Sequence, residues 1–167
     1  MIKNFNSLFV TMFGIGKIGF APGTFGSLAT AIILFYLFHF LNISSHIILF
    51  GIIIIFIYSF YAISMHTKNS KNKDPGEIVI DEFLGQSIPI YLYEISHGTT
   101  KESDEAIIYY LLFFFLFRYF DIAKPFPVNF FDKNFKNSFG VIMDDIFAGL
   151  YVVLTVVCFM IVKSYVL

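Results

Sequence analysis

The chain has 167 residues, of which 57% are hydrophobic, 20% aromatic and only 14% charged, with a net charge of −1. A water-soluble domain carries about 25% charged residues, so this chain has too little polar surface to cover itself, and a bilayer is its expected solvent. The balanced charge speaks against a nucleic-acid partner, and the single cysteine, Cys158, excludes an internal disulfide and a cysteine-based metal site.

The length predicts one domain over residues 1–167. Met1–Phe13 is short and moderately apolar and reads as an interfacial helix within a leading segment of residues 1–19. It lacks the small-residue cleavage site of a signal peptide, so insertion through the chain's own helices is expected. Gly14–Gly19 matches G-x-G-x-x-G by letter. No strand pattern precedes it, however, and no acidic residue follows at the distance a dinucleotide fold requires. In Phe20-Ala-Pro-Gly-Thr-Phe-Gly-Ser27, Pro22-Gly23 breaks the chain and Thr24 or Ser27 is placed to cap the helix that follows. The same glycine-rich turn offers N–H groups and hydroxyls to an anion.

From Ile18 to Thr67 there is no charged residue. Leu28–Leu41 and Ile47–Met65 read as two membrane spans joined by a turn at Asn42–Ser45. His39, His46 and His66 stand at the ends of these runs as interfacial polar residues. A basic loop, Lys68–Asp74, leads to Pro75–Gly85. Phe83–Tyr93 is apolar but short, and Gln86, Ser87 and Pro89 interrupt it. A tilted span, a broken one and a re-entrant helix all remain open for it. After the acidic loop His97–Glu105, the apolar pattern resumes at Ala106 and runs through Phe120, until Pro125 and Pro127 stop the helix. Phe130, Phe131, Asp132, Lys133 and Lys136 form a short interfacial segment, in which Asp132 and Lys133 read as a solvated pair. Ile146–Val162 is the last span. The expected fold is therefore all-α: a small polytopic helical bundle with four to five apolar helices.

Charge sets the orientation. With spans at 28–41, 47–65, 83–93, 106–120 and 146–162, nine basic residues share one side: Lys3, Lys17, Lys68, Lys71, Lys73, Arg118, Lys124, Lys133 and Lys136. Only Lys101 and Lys163 fall on the other. The crowded side is predicted to be cytoplasmic, and it also receives three polar segments, around Gly14–Ser27, Lys68–Glu82 and Arg118–Asp145. Asp81-Glu82 and Asp144-Asp145 each stand where an apolar run begins, at expected helix N-termini. One acid suffices for a cap, whereas two adjacent carboxylates repel. Two such pairs at one membrane edge point to a divalent cation, and oxygen-only ligands favour Mg²⁺ or Mn²⁺ over zinc. Arg118 and Asp121, three apart, share the face of a helix end. Lys124 follows where the helix breaks, free to meet a phosphate as a point charge.

Four stretches resemble the motifs of the phosphatidylglycerophosphatase A family: Ala21-Pro-Gly-Thr-Phe-Gly-Ser27, Ile80-Asp-Glu-Phe-Leu-Gly85, Phe117-Arg-Tyr-Phe-Asp-Ile-Ala-Lys-Pro-Phe-Pro127 and Gly140-Val-Ile-Met-Asp-Asp-Ile-Phe-Ala-Gly149. Their order and spacing fit from about Gly14 to Val153. The resemblance implies a magnesium-dependent, multi-pass phosphatase of a bacterial inner membrane, its active site facing the cytoplasm. Its implied substrate is phosphatidylglycerophosphate, cleaved to phosphatidylglycerol and phosphate. Carried over position by position, the motif acids are Asp81, Glu82, Asp121, Asp144 and Asp145, and the basic and polar motif positions are Arg118, Lys124, Thr24 and Ser27. Among the acids, Asp81, Glu82, Asp144 and Asp145 are the expected Mg²⁺ ligands, and Lys17 is a further candidate at the phosphate.

The chain lacks the D-x-D-x-T pattern of aspartyl-phosphate enzymes and the histidine-centred motifs of phosphohistidine-forming lipid phosphatases. Direct attack by metal-activated water is the favoured expectation, with a separate carboxylate as general base. Three other classes compete. A transporter needs polar residues deep in its spans, and a non-catalytic membrane scaffold needs no paired acids beside a basic cluster. A CDP-alcohol phosphotransferase shares Mg²⁺ and membrane acids, but its D-x-x-D-G-x-x-A-R pattern is missing. The expected partners are the phospholipid substrate and the membrane; a homo-oligomer is left open.

Overall fold

The computed structural model describes residues 2–68, 75–97 and 103–166. Most of the expected loops Lys68–Asp74 and His97–Glu105, with Lys71, Lys73 and Lys101, lies outside the described residues, as do the side chains of residues 2–4, 97, 103 and 166. The described residues form seven α-helices and no strand: α1 (Ile2–Val10), α2 (Pro22–Phe35), α3 (Ser45–Thr67), α4 (Ile80–His97), α5 (Ser103–Ala123), α6 (Val128–Asn134) and α7 (Ser138–Val166). A 3₁₀ turn covers Ile15–Lys17, and α2 is prolonged by a wider, π-helical turn over Tyr36–Phe40.

Four helical stretches are long and apolar enough to cross a membrane: Pro22–Phe40, Ser45–Thr67, Asp104–Ala123 and Ser138–Tyr165. They contain the expected spans at 28–41 (to within a residue), 47–65, 106–120 and 146–162. The helices start earlier than the apolar runs because helix formation does not wait for an apolar residue. Pro22 opens α2 at a position where its missing N–H costs nothing, so neither Thr24 nor Ser27 is the cap. Asn137 starts α7: its Oδ1 accepts the N–H of Gly140 at 3.1 Å. Asp144 and Asp145 consequently sit two turns inside α7, not at its N-terminus as the apolar pattern predicts. Asp81 and Glu82 do lie in the first turn of α4.

The short run at 83–93 belongs to an unbroken helix, α4, which contains Pro89. This helix packs most extensively against α7 and also against α2, α3 and α5. Enclosed by protein, it has no need of an apolar exterior, which explains its mixed sequence. Pro89 supplies no N–H to the carbonyl of Gly85 one turn earlier. That carbonyl lies against Gly149 of α7, where any Cβ would collide with it. A Cβ on Gly85 would in turn collide with the carbonyl of Asp145. Two glycines thus let α4 and α7 approach backbone to backbone.

Polarity is arranged inside out. Large apolar side chains such as Ile47, Phe50, Ile57, Ile108, Phe115 and Phe159 are exposed around the bundle. Ser27, Thr30, Ser59, Gln86 and Ser87 are buried within it. The four hydroxyls bond to carbonyls of their own helices at 2.6–2.8 Å. The N-terminal helix α1 packs on α3, where Tyr58 donates to Asn6 Oδ1 at 2.6 Å. Val79 N–H donates to the Val10 carbonyl at 2.9 Å, and this bond joins α1 to the segment that leads into α4.

Candidate active site

Chain direction brings the polar segments to one end of the bundle. There α2 and α4 begin, α5 ends, and the first turns of α7 pass. Asp81 and Glu82 of α4 meet Asp145 of α7, each offering an oxygen within 4.8 Å of the others. Asp81 and Asp145 are only 6% and 4% exposed. Three carboxylates so close, and so removed from water, repel strongly. Glu82 Oε2 and Asp145 Oδ1 are buried without a hydrogen-bond partner. Oxygen-only donors, anionic and partly unpaired, fit a hard divalent cation of the Mg²⁺ type.

Arg118 flanks this cluster from α5. Its Nη1 lies 2.6 Å from Asp121 Oδ2 and 4.0 Å from Glu82 Oε1. The expected i,i+3 pair is therefore formed, and it holds the guanidinium across the mouth of α2. The same Nη1 stands 3.5 Å from Ser27 Oγ. Gly23 is what makes the approach possible, since a Cβ there would collide with Glu82 Oε1. The N-terminus of α2 thus faces the acids and Arg118; there the N–H groups of Thr24 and Phe25 already donate to the Ala21 carbonyl at 3.0 and 3.3 Å. Thr24 lies in this first turn, half-buried.

Asp144 is turned elsewhere. Its Oδ2 accepts from Lys124 Nζ at 3.1 Å, and Lys124 also pairs with Asp132 Oδ1 at 2.9 Å. Lys124 is therefore engaged by two carboxylates and does not stand free, as its place after the helix break predicts. It follows α5 in a left-handed conformation, φ 44°, with its N–H bonded to the Phe120 carbonyl at 2.9 Å. Burial disfavours its charge, but the hydrogen bond it donates to Asp132 and the charge of Asp144 outweigh that and hold its pKa above the ordinary lysine value. For Asp132, burial pushes upward, and Lys124, Lys136 and Lys133 pull the carboxyl below the ordinary range.

Of the predicted site residues, Asp81, Glu82, Asp145, Arg118, Asp121 and Ser27 come together, and Asp144 and Lys124 form an adjoining pair. Lys17 is exposed in its 3₁₀ turn, and among the described residues no hydrogen bond or ion pair ties it to the acids. The G-x-G-x-x-G match has a packing reason instead: a Cβ on Gly16 would collide with the Glu77 carbonyl. His39 pairs with Glu94 at 3.0 Å and His66 with Glu77 at 2.9 Å, so neither enters the acidic cluster; His46 is exposed. Asp132, read from sequence as a solvated residue, is a partner of Lys124, and nothing in the local pattern distinguishes it. Gln86, read as an interruption of an apolar run, is fully buried one helical turn beyond Glu82. Its signal was that interruption itself.

Residues 8–160 match the model of a family described as phosphatidylglycerophosphatase A. A Haemophilus influenzae protein named phosphatidylglycerophosphatase A is 37% identical over 144 residues, covering 86% of this chain and 82% of the relative. A Bacteroides thetaiotaomicron protein, provisionally named a phosphatidylinositol-3-phosphatase, is 33% identical over 84% of each chain. An Escherichia coli phosphatidylglycerophosphatase A is 34% identical over 82% of this chain and 73% of its own length. No solved structure matches the chain.

Proposed function

The chain belongs to the phosphatidylglycerophosphatase A family, and from that membership we propose that it is a magnesium-dependent membrane phosphatase that hydrolyses phosphatidylglycerophosphate to phosphatidylglycerol and phosphate. One observation carries the reading: carboxylates from two separate helices, Asp81 and Glu82 on α4 and Asp145 on α7, lie within 4.8 Å of one another beside Arg118. An acidic cluster alone repels a phosphate, whereas a guanidinium binds it by charge and by hydrogen bonds. Together they suit a phosphomonoester dianion accompanied by a cation.

Asp81, Glu82 and Asp145 would hold Mg²⁺, whereas Asp144, held by Lys124, would border the site. When bound, the ion would neutralise charge on the phosphate oxygens. Arg118, fixed by Asp121, presents a planar cation to the phosphate. At the first turn of α2 the Gly23 N–H and the Thr24 hydroxyl would add donors, while Ser27, whose hydroxyl donates to the Gly23 carbonyl, accepts from Arg118 and helps to place it. Water would attack phosphorus as a carboxylate of the cluster accepts its proton; the P–O bond to the glycerol breaks, and the leaving oxygen takes up a proton to become the hydroxyl of phosphatidylglycerol. Lys124 neutralises Asp144 and ties α6 to α7. In this reading its effect on turnover runs through that tie.

The described basic residues Lys17, Lys68, Arg118, Lys124, Lys133 and Lys136 flank the acidic end, with Lys163 towards the other end of α7. This distribution supports a cytoplasmic site in a bacterial inner membrane. Acyl chains would remain in the bilayer while the head group reaches the acids at its edge. The test offers purified protein vesicles containing phosphatidylglycerophosphate or phosphatidylinositol-3-phosphate, with Mg²⁺ or with chelator. Phosphate release from phosphatidylglycerophosphate only when Mg²⁺ is present is expected. Preference for the inositol lipid would transfer the reading to the substrate class in the Bacteroides relative's name, and Mg²⁺-independent turnover would remove the metal.

A further inference from the structure

We propose that Gln86 is a further substrate-contacting residue of this site, its carboxamide bonding a phosphate oxygen from the inner side of the acidic cluster; the inference rests on the phosphatase reading above. Gln86 is completely buried, and neither its Nε2 nor its Oε1 has a hydrogen-bond partner. A buried, unpaired amide is costly and calls for a reason. Elsewhere in this bundle the buried hydroxyls of Ser27, Thr30, Ser59 and Ser87 satisfy themselves on carbonyls of their own helices, and the other buried amide with an unpaired nitrogen, Asn6, is held through its Oδ1 by Tyr58. Gln86 does not.

Its position supplies the reason. Gln86 follows Glu82 by four residues, so it lies on the same stripe of α4, about 6 Å further into the bundle. Ile90 and Tyr93 continue that stripe and pack in the core shared with residues of α2, α5 and α7. These are the helices that deliver Ser27, Arg118 and Asp145 to the site. Buried atoms without partners occur on those same neighbours: Glu82 Oε2, Asp145 Oδ1 and Arg118 Nε. The set mixes acceptors with donors. A cation would satisfy only the oxygens, and an anion only the nitrogens. A phosphate held together with a divalent cation satisfies both, with Arg118 Nε and Gln86 Nε2 as the donors to phosphate.

Chemistry also favours an amide here. A lysine beside these acids would be drawn into ion pairs, as Lys124 is by Asp132 and Asp144. A neutral carboxamide donates without being captured by the acids and without displacing a cation from them.

The experiment compares full-length wild type with Gln86→Met, which keeps length and removes polarity, and with Gln86→Glu. Four quantities are read: kcat/KM on phosphatidylglycerophosphate, binding of inorganic phosphate by calorimetry in the presence of Mn²⁺, Mn²⁺ affinity by electron paramagnetic resonance, and Tm. Gln86→Met is expected to keep or raise Tm, because it removes an unsatisfied buried group. It should hold Mn²⁺ within about twofold and lose about tenfold in both kcat/KM and phosphate affinity. Gln86→Glu should lose more phosphate affinity, since its carboxylate repels the anion. Wild-type phosphate binding in Gln86→Met overturns the proposal. So does a loss of activity that tracks a lowered Tm or weakened Mn²⁺ binding, which marks a structural role. If wild type releases no phosphate from the lipid, the phosphatase reading fails, and the phosphate-binding comparison still decides for or against Gln86.

Discussion

Neighbouring residues here have separate tasks. Asp145 faces Asp81 and Glu82, whereas Asp144 faces Lys124. A substitution to asparagine keeps shape and removes charge, so Asp81→Asn and Asp145→Asn should each reduce phosphate release by more than about a hundredfold, the scale on which one essential charge interaction operates in a transition state. Both should remain folded by thermal unfolding, because each relieves repulsion. Lys124→Ala removes charge-assisted contacts worth roughly 1.5–3 kcal/mol of stability; it should lower Tm, and lower kcat/KM through the loosened tie between α6 and α7. Its pH behaviour follows from the shifts. Lys124, with its pKa raised, contributes fully below about pH 10.4, and that contribution is lost as pH rises through its higher folded value. Asp132, with its pKa lowered, contributes above about pH 3.9, and that is lost as pH falls through its folded value. The Tm difference between wild type and Lys124→Ala should therefore be constant from pH 6 to pH 8; a difference that changes across that window contradicts the assigned pairing. The acids were legible in the sequence because paired carboxylates in an oily chain demand a cation. The Lys124–Asp132 tie was not, because it depends on where α6 comes to lie.

At the scale of helices, the site depends on how closely α4 and α7 approach. Gly85 and Gly149 permit that approach, and neither carries a reactive group. Gly149→Ala would drive its methyl into the Gly85 carbonyl and separate Asp145 from Asp81 and Glu82. It should cost about 1–3 kcal/mol of stability and most of the activity. Gly51→Ala is the matched control, as a Cβ there meets nothing within 4 Å. It should be fully active and slightly more stable. Equal activity of the two variants would show that the helix crossing does not set the site. The existence and type of the long helices were readable from apolar runs. Their starts were not, because Pro22 and Asn137 begin α2 and α7 from polar or breaking sequence ahead of the oily residues. The continuity of α4 was hidden for a related reason: Gln86, Ser87 and Pro89 look like breaks until the helix is seen to be enclosed by its neighbours.

For the whole molecule, the outward apolar residues and inward polar ones match a bundle that uses lipid as its solvent. Charge counting puts the N-terminal segment and the loops after α3 and α5 on one side, and the described loop after α5 stands at the acidic end, where Lys124 pairs with Asp144. Topology can be tested with described, exposed positions. In a Cys158→Ser background, Lys17→Cys should react with a thiol reagent only from the cytoplasm and Asn42→Cys only from outside. Labelling of both from the same side would contradict the arrangement. The helical, span-bearing architecture was the most legible feature of the three scales, because composition and span length are properties of the chain before it folds; orientation awaits that labelling.

The central claim is that Asp81, Glu82 and Asp145 form one divalent-metal centre that serves phosphate hydrolysis. Mn²⁺ binding followed by electron paramagnetic resonance, on wild type, Asp81→Asn, Glu82→Gln and Asp145→Asn, addresses it most directly. The account predicts saturable binding by wild type, competed by Mg²⁺ and weakened at least about tenfold in each variant, in the range expected for loss of a contact to a charge. Unchanged Mn²⁺ affinity in all three variants, or no competition by Mg²⁺, would contradict it.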